Sequence, residues 1–427
     1  MDLVLGIDFG TSCTKVVIGD PGWRARSYPV PLVGDAQGIS RFLKPSRIKM
    51  TTSEGKVLLQ SNLKMRLMDQ PDDPWVRQLA ILYLASVIRH SLAWFEASLK
   101  QAYATRQPSW SLNLGFPAKS VEMATPLVKS YQEVARLAAQ LGSSELPINF
   151  ISLGQLMSGK ELSTYNAAIP PSRVQLYPEI AAQLAGYVNS PYRMHGNLLL
   201  VDVGAGTLDV STIILHSGTD QEVCSFHFCE VARFGTVPLL EARVGALNAV
   251  IPNCSTFSLE AVQDGVSAAP EDLSALLVPG ERKSPRLVSA FDGVSTTFAD
   301  NMLQVALRCL TQFKVRQRDA HSNPGFNPWP GYLRFFLTGG GSRSAFYKKH
   351  LAGGPLENSL VRYTHWHEDA KRRAINGEGL RLESLPLPND LEGFPESLKH
   401  DFDRLSVAHG LAYGGENLMH VTASTSS

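Results

Sequence analysis

The chain has 427 residues, more than one hydrophobic core sustains, so its length points to two or three folding units. A total of 40 basic side chains against 39 acidic ones leaves a formal net charge of +1, which excludes electrostatic capture of nucleic acid or of an anionic membrane by the chain as a whole. Five cysteines, an odd number with no C-x-x-C pair, exclude a disulfide framework or a zinc site as the organising element.

From the N-terminus, Leu3-Val4-Leu5-Gly6-Ile7 predicts a buried strand, Asp8-Phe9-Gly10-Thr11-Ser12 a turn, and residues 14–18 a second strand. No basic segment or small-residue cleavage site precedes the first strand, so the expected location is cytoplasmic. Residues 20–75, with scattered glycine and proline, suit a small inserted subdomain. Helical spacing of apolar residues follows over 75–103 and 124–141, with Gly142 stopping the second helix. The longest apolar run, within 79–88, is shorter than the roughly 20 residues that span a bilayer and reads as a buried helix. A third helix, 179–188, follows Pro178. Residues 198–203 then predict a strand, Gly204-Ala205-Gly206-Thr207 a turn and 208–215 a returning strand, so the first hairpin recurs and implies an internal duplication. Residues 241–330 suit a second insertion, with helices over 258–266 and 298–318 and a rigid proline linker over 324–330. A third strand breaks into glycines at Thr338-Gly339-Gly340-Gly341-Ser342-Arg343, then come a helix over 345–351, a final helix from 401 to about 419, and a tail, 421–427, expected to be disordered.

Both hairpin tips offer consecutive backbone N–H groups with almost no side-chain bulk, which is what wrapping phosphate oxygens requires. Gly10, Thr11 and Ser12 form one candidate cradle, and Gly204, Ala205, Gly206 and Thr207 the other. Asp8 and Asp202 precede them, and a carboxylate beside a polyphosphate is electrostatically sensible only with a cation between, which implies Mg2+. One such turn is a weak signal; two, joined by a third glycine segment that opens a helix and can hold a nucleoside, are a strong one. His365 and His367 lack a third ligand at a recognisable spacing and do not read as a metal site.

These segments resemble the motifs of the actin-like ATPase superfamily: Gly6 to Ser12 the first phosphate motif, Asp202 to Asp209 the second, and Thr338 to Arg343 the adenosine motif. Tyr177-Pro178-Glu179-Ile180-Ala181-Ala182 and Ala408-His409-Gly410-Leu411-Ala412-Tyr413-Gly414 look like the two connecting helices of DnaK-type heat-shock chaperones. Asn62 to Leu67 resembles the segment that holds their catalytic lysine. The resemblance implies an α/β, two-lobed actin-like ATPase fold of duplicated ribonuclease-H-like domains with an insertion in each lobe. Lobe I would span 1–195 and lobe II 196–400, with 401–420 returning to lobe I. It implies ATP/ADP and Mg2+ as cofactors, with Asp8 and Asp202 holding the metal through water. Lys64 would position the attacking water, and Asp202 or Glu179 would orient it or accept its proton. Thr11, Ser12 and Gly204 to Thr207 would contact phosphates, and Gly339, Gly340 and Arg343 the adenosine.

The function expected from the resemblance is a slow, DnaK-like ATPase that switches conformation with its nucleotide and acts on an unidentified protein partner or client. No nucleic acid or membrane is expected to bind, and the chain is expected to be a monomer or a homo-oligomer. The alternative weighed beside it is an actin- or FtsA-like nucleotide-dependent filament or scaffold; a sugar-kinase-type phosphotransferase and a degenerate ATP-binding regulator are the remaining ones.

Overall fold

The computed structural model describes residues 2–22, 25–51, 56–117, 125–158, 166–216, 223–256, 271–321, 333–351, 356, 380–413 and 420–423. The expected helix over 258–266, the linker over 324–330 and the His365/His367 pair lie outside them. The chain divides into two compact units, one chiefly from Met1–Pro191 and Pro386–Leu418, the other chiefly from Tyr192–Val262 and Val266–Leu385.

In the first unit, β1 (Asp2–Phe9) pairs antiparallel with β2 (Cys13–Asp20), which pairs antiparallel with β3 (Arg26–Pro29). On its other side β1 runs parallel to β7 (Ser109–Phe116), and β7 parallel to β8 (Val174–Pro178). A two-residue strand, β4 (Lys44–Pro45), pairs with β2 off this path, and β5 (Ile48–Thr51) and β6 (Val57–Gln60) form a separate hairpin. Leu3, Leu5, Ile7 and Phe9 on one face of β1 are fully buried, and Val4 and Asp8 on the other are buried too, as expected for a strand covered on both faces.

Helices α1 (Leu63–Asp69), α2 (Pro74–Ser98), α3 (Pro126–Ser143) and α4 (Phe150–Met157) belong to this unit, and α1 to α4 share one hydrophobic cluster with β1, β2, β7 and β8. By length and composition α2 could cross a membrane, but 61% of its most apolar window is buried in the protein. Its apolarity serves the core. The periodicity placed α2 and α3, while caps set their starts: Asp73 Oδ1 accepts from the amides of Trp75 and Val76, Thr125 Oγ1 from Val128, and Pro74 and Pro126 stand in the first turns. The expected end of α2 at 103 is corrected to Ser98, with a 3-10 turn over Lys100–Tyr103.

The second unit repeats the plan. β9 (Gly196–Val203) pairs antiparallel with β10 (Leu208–His216), β10 antiparallel with β11 (Val223–Ala232), β9 parallel with β12 (Leu333–Thr338) and β12 parallel with β13 (Leu380–Glu383). The spatial orders β3-β2-β1-β7-β8 and β11-β10-β9-β12-β13 agree strand for strand and sense for sense. The chain thus contains one α/β sheet plan twice, the duplication that the recurring hairpins implied. A last strand, β14 (His420–Ala423), adds to the free edge of β11 in parallel. The expectation of disorder from 421 onward is thus corrected for 421–423: a short stretch with β-branched residues satisfies its backbone on an open edge.

Helices α6 (Thr236–Val250), α7 (Pro285–His321) and α8 (Ala345–Leu351) pack in this unit. α7 begins 13 residues (298 − 285) before the expected start. Pro285 opens the helix instead of breaking a loop, because the Ser284 hydroxyl accepts from the Leu287 amide at 3.3 Å. The buried Arg243 of α6 lies 4.5 Å from the Phe291 ring centre and 5.2 Å from that of Phe346, and its Nε donates to Ser295 at 3.1 Å. One cation thereby joins α6, α7 and α8.

In the first unit α5 (Glu179–Val188) packs on α9 (Ser406–Leu411), and α9 packs on β1 and β2. The continuous helix expected over 401–419 is corrected: a 3-10 segment, Glu396–Arg404, precedes α9. The α5–α9 crossing is so close that a Cβ on Gly410 would sit 1.7 Å from the Ala182 carbonyl oxygen. Gly410→Ala is expected to lower stability by about 2 kcal/mol or more in a denaturant titration, since backbone cannot yield as a side chain does. Gly245→Ala, mid-helix where an added Cβ would meet nothing within 4 Å, is expected to be neutral or to stabilise by about 0.5–1 kcal/mol.

Candidate functional site

In the first unit the β1–β2 turn is held from behind. The Ser46 hydroxyl donates to the Gly10 carbonyl at 2.6 Å, and the Ser46 amide donates to the Ser12 carbonyl at 2.8 Å. The segment carrying Ser46 is pinned in turn by Tyr83 of α2, whose hydroxyl donates to the Pro45 carbonyl at 3.0 Å; burial pushes this phenol's pKa up and keeps it a donor. Gly10, Thr11 and Ser12 therefore form a braced turn. Beside it the buried Asp8 accepts from Lys15 Nζ at 2.8 Å. No sequence motif marks Lys15 as a site residue, although the hairpin register sets Asp8 and Lys15 directly opposite one another.

Lys64 lies in the first turn of α1, after Asn62 in the left-handed region (φ 56°). Glu179 opens α5 where β8 ends, at the positive end of the helix. The structure brings them together: Lys64 Nζ donates to both carboxylate oxygens of Glu179, at 2.7 and 2.6 Å, and both side chains are largely buried. Burial alone would lower the Lys64 pKa, but Glu179, with Tyr131 and Asp8, raises it above the ordinary lysine value. Burial also pushes the Glu179 carboxyl up, with Lys64 opposing it. Asp8, Lys64 and Glu179 thus act on one another in one electrostatic neighbourhood.

In the second unit the tip of the β9–β10 hairpin is supported by the start of α6. The amides of Gly235, Thr236 and Val237 donate to the carbonyls of Gly206, Gly204 and Ala205 at 3.4, 3.2 and 2.8 Å, and the Gly204 amide closes the turn onto the Thr207 carbonyl at 2.9 Å. Among the described residues, the amides of Ala205, Gly206 and Thr207 make no hydrogen bond within the protein. Three consecutive unshared N–H groups on a turn fixed by its carbonyls make a concavity for an anion. A glycine at 205 is not needed for this arrangement.

The glycine segment after β12 lies against the same strand end. Gly339 has φ +81°, and a Cβ there would fall 2.0 Å from Asp202 Oδ1 and 2.5 Å from the Val203 carbonyl oxygen. Gly340 is exposed, Arg343 is half-buried, and the Ser342 hydroxyl donates back to the Gly339 carbonyl at 2.7 Å. Asp202, Gly204 to Thr207 and Gly339 to Arg343 are therefore gathered at the carboxyl ends of β9 and β12, where open α/β sheets place ligands.

These residues fit a phosphate-bearing ligand by their free amides. No group of three or more His, Cys, Asp or Glu side chains forms a direct metal cage among the described residues, so a divalent cation here would need water to complete its oxygen shell beside Asp202. Ser46, Tyr83 and Tyr131 were missed because no motif marks residues that act through distant segments.

No protein-family model and no curated protein matches the sequence. Solved structures do match across nearly the whole length of both chains. "MamK double helical filament" covers 96% of this chain and 99% of that one at 13% identity, TM-score 0.46. "pCBH ParM non-polymerisable quadruple mutant" covers 96% and 98% at 12% identity, TM-score 0.48. A 15-stranded ParM filament from Clostridium botulinum covers 96% and 98% at 12% identity, TM-score 0.42. Likenesses this loose carry no inference about activity, and they lend no support to the narrower DnaK-type resemblance.

Removing one partner of the Lys64–Glu179 pair leaves a buried carboxylate uncompensated. Lys64→Met is expected to cost about 3–5 kcal/mol at pH 7, and the double variant Lys64→Met/Glu179→Leu to recover most of it. Denaturant titrations of the three proteins check this; equal losses in single and double variants would show that the pair is not a unit.

Proposed function

We propose that the chain binds Mg-ATP and hydrolyses it slowly, using the nucleotide to switch conformation. The observation that carries this reading is the row of free amides at Ala205, Gly206 and Thr207, whose turn is fixed by the α6 amides behind it. That row, Thr11 and Ser12 would receive phosphates, and Gly339, Gly340 and Arg343 the nucleoside. Asp8 and Asp202 would hold magnesium through waters, and the cation, when bound, offsets the charge of the triphosphate. Lys64 and Glu179 supply a buried, oriented acid–base pair: the carboxylate, pushed up by burial, can accept a proton from water, and the ammonium fixes its orientation.

Calorimetry with Mg-ATP and a phosphate-release assay test this reading. Asp202→Asn is expected to leave ATP binding measurable while lowering turnover by about 100-fold. Unchanged turnover in that variant refutes the role of Asp202, and no Mg-ATP binding by the unaltered protein refutes the proposal.

The switch would act either on a separate protein, in the DnaK manner, or on other copies of the chain, as in an actin-like filament. Either mode needs a contact surface, and an apolar patch on the first unit is open to solvent; self-assembly is the occupant tested here. Trp75 stacks on Phe150 with ring centres 5.3 Å apart and planes 6° from parallel, and both are exposed, as are Met157, on the same face of α4 as Phe150, and Ile151, at 74%. Exposed apolar side chains gathered on one helix and a stacked ring pair mark a contact surface. Sedimentation and electron microscopy are expected to show Mg-ATP-dependent polymers that Ile151→Lys abolishes without changing turnover per free protomer. Monodisperse protein under all nucleotide conditions sinks the filament reading and leaves the action on a separate partner.

A further inference from the structure

Tyr131 of α3 is fully buried in the first unit, and its hydroxyl has no hydrogen-bond partner among the described residues. A buried phenol normally finds one, because its desolvation is otherwise uncompensated. The residue beside it is committed elsewhere: Ser130 donates to the Pro71 carbonyl at 2.7 Å. Tyr131 belongs to the same buried cluster as Leu63 and Leu67 of α1, the helix that carries Lys64, and its hydroxyl interacts electrostatically with Lys64 and Glu179. That pair is incomplete too. An ammonium carries three N–H groups, and among the described residues the bonds of Lys64 go to the two oxygens of Glu179. A hydroxyl, a spare N–H and a carboxylate with remaining lone pairs are the kinds of polar partner, two to four in number, that a buried water needs.

We propose that Tyr131 is a positioning residue: its hydroxyl, together with Lys64 and Glu179, holds one ordered water inside the first unit and thereby fixes the orientation of the acid–base pair. The water serves as a strut for the pair, which is why the tyrosine needs no protein partner. The kinetic consequence rests on the ATPase reading above; the water itself does not.

The test has two arms. A crystal structure of the nucleotide-free protein at a resolution that shows waters is expected to place one within hydrogen-bond distance of Tyr131 Oη and of the Lys64–Glu179 pair, and to lose it in Tyr131→Phe. In steady-state assays Tyr131→Phe is expected to lower kcat about tenfold, one hydrogen bond's worth, with KM for ATP unchanged. A dry hydroxyl in the unaltered protein overturns the proposal. So does a Tyr131→Phe variant that melts at a higher temperature with unchanged kcat, the result expected of an idle polar group removed from a core. If the unaltered protein turns over no ATP, the ATPase reading fails alone, and the crystallographic arm still decides on the water.

Discussion

The constraint on which the candidate site depends is that backbone polar groups in a tight turn must find partners. In the second unit the carbonyls of Gly204, Ala205 and Gly206 are all taken by amides at the start of α6. With the oxygens bound on one side, the N–H groups of the following residues are left for the other. The hairpin in the first unit meets the same constraint with different parts: there Ser46 supplies a hydroxyl and an amide to the carbonyls of Gly10 and Ser12. A duplicated sheet thus carries a duplicated turn, braced by a helix start in one copy and by the hydroxyl and amide of Ser46 in the other. Side-chain chemistry at the tips can then vary, as Ala205 does, while the backbone chemistry stays.

The charged groups of the first unit follow from where strands end. Asp8 stands near the end of β1 and Glu179 directly after β8, while Lys64 enters from α1. Two buried charges in contact are a poor way to gain stability, because desolvation offsets most of their attraction. A bidentate Lys64–Glu179 pair at 2.6 and 2.7 Å is better understood as a device that fixes orientation. The exposed pair Lys283–Asp272 at 2.7 Å is as short, yet in water such a contact contributes little.

Legibility in the sequence followed how local each cause was. Both hairpins were readable because a β-branched run, a glycine turn and a returning run are contiguous, and strand order confirmed the duplication they implied. The ends of α5 and α8 were readable too, being set by adjacent residues. The start of α7 was not: Pro285 in isolation signals a break, and only the Ser284 cap shows that it opens a helix. Lys64 and Glu179 were singled out by resemblance, yet their contact joins residues 115 positions apart, and no local pattern contains it. Arg243 illustrates the same limit, because a cation between two rings from two other helices leaves no trace in its own neighbours along the chain.

Packing and chemistry meet at α5. Its first residue is the carboxylate of the pair, and one turn later Ala182 presents its carbonyl to Gly410 of α9 with no room for a Cβ between them. A helix seated backbone to backbone cannot slide by a fraction of an ångström without collision, so the position of Glu179 is fixed by the α9 contact as much as by Lys64. The small residues of Ala181-Ala182 and Ala408-His409-Gly410 therefore do more than mark connecting helices. Their lack of bulk lets α9 approach α5 closely enough to hold a buried carboxylate in place, which connects a composition bias legible in the sequence to the geometry of a site that is not.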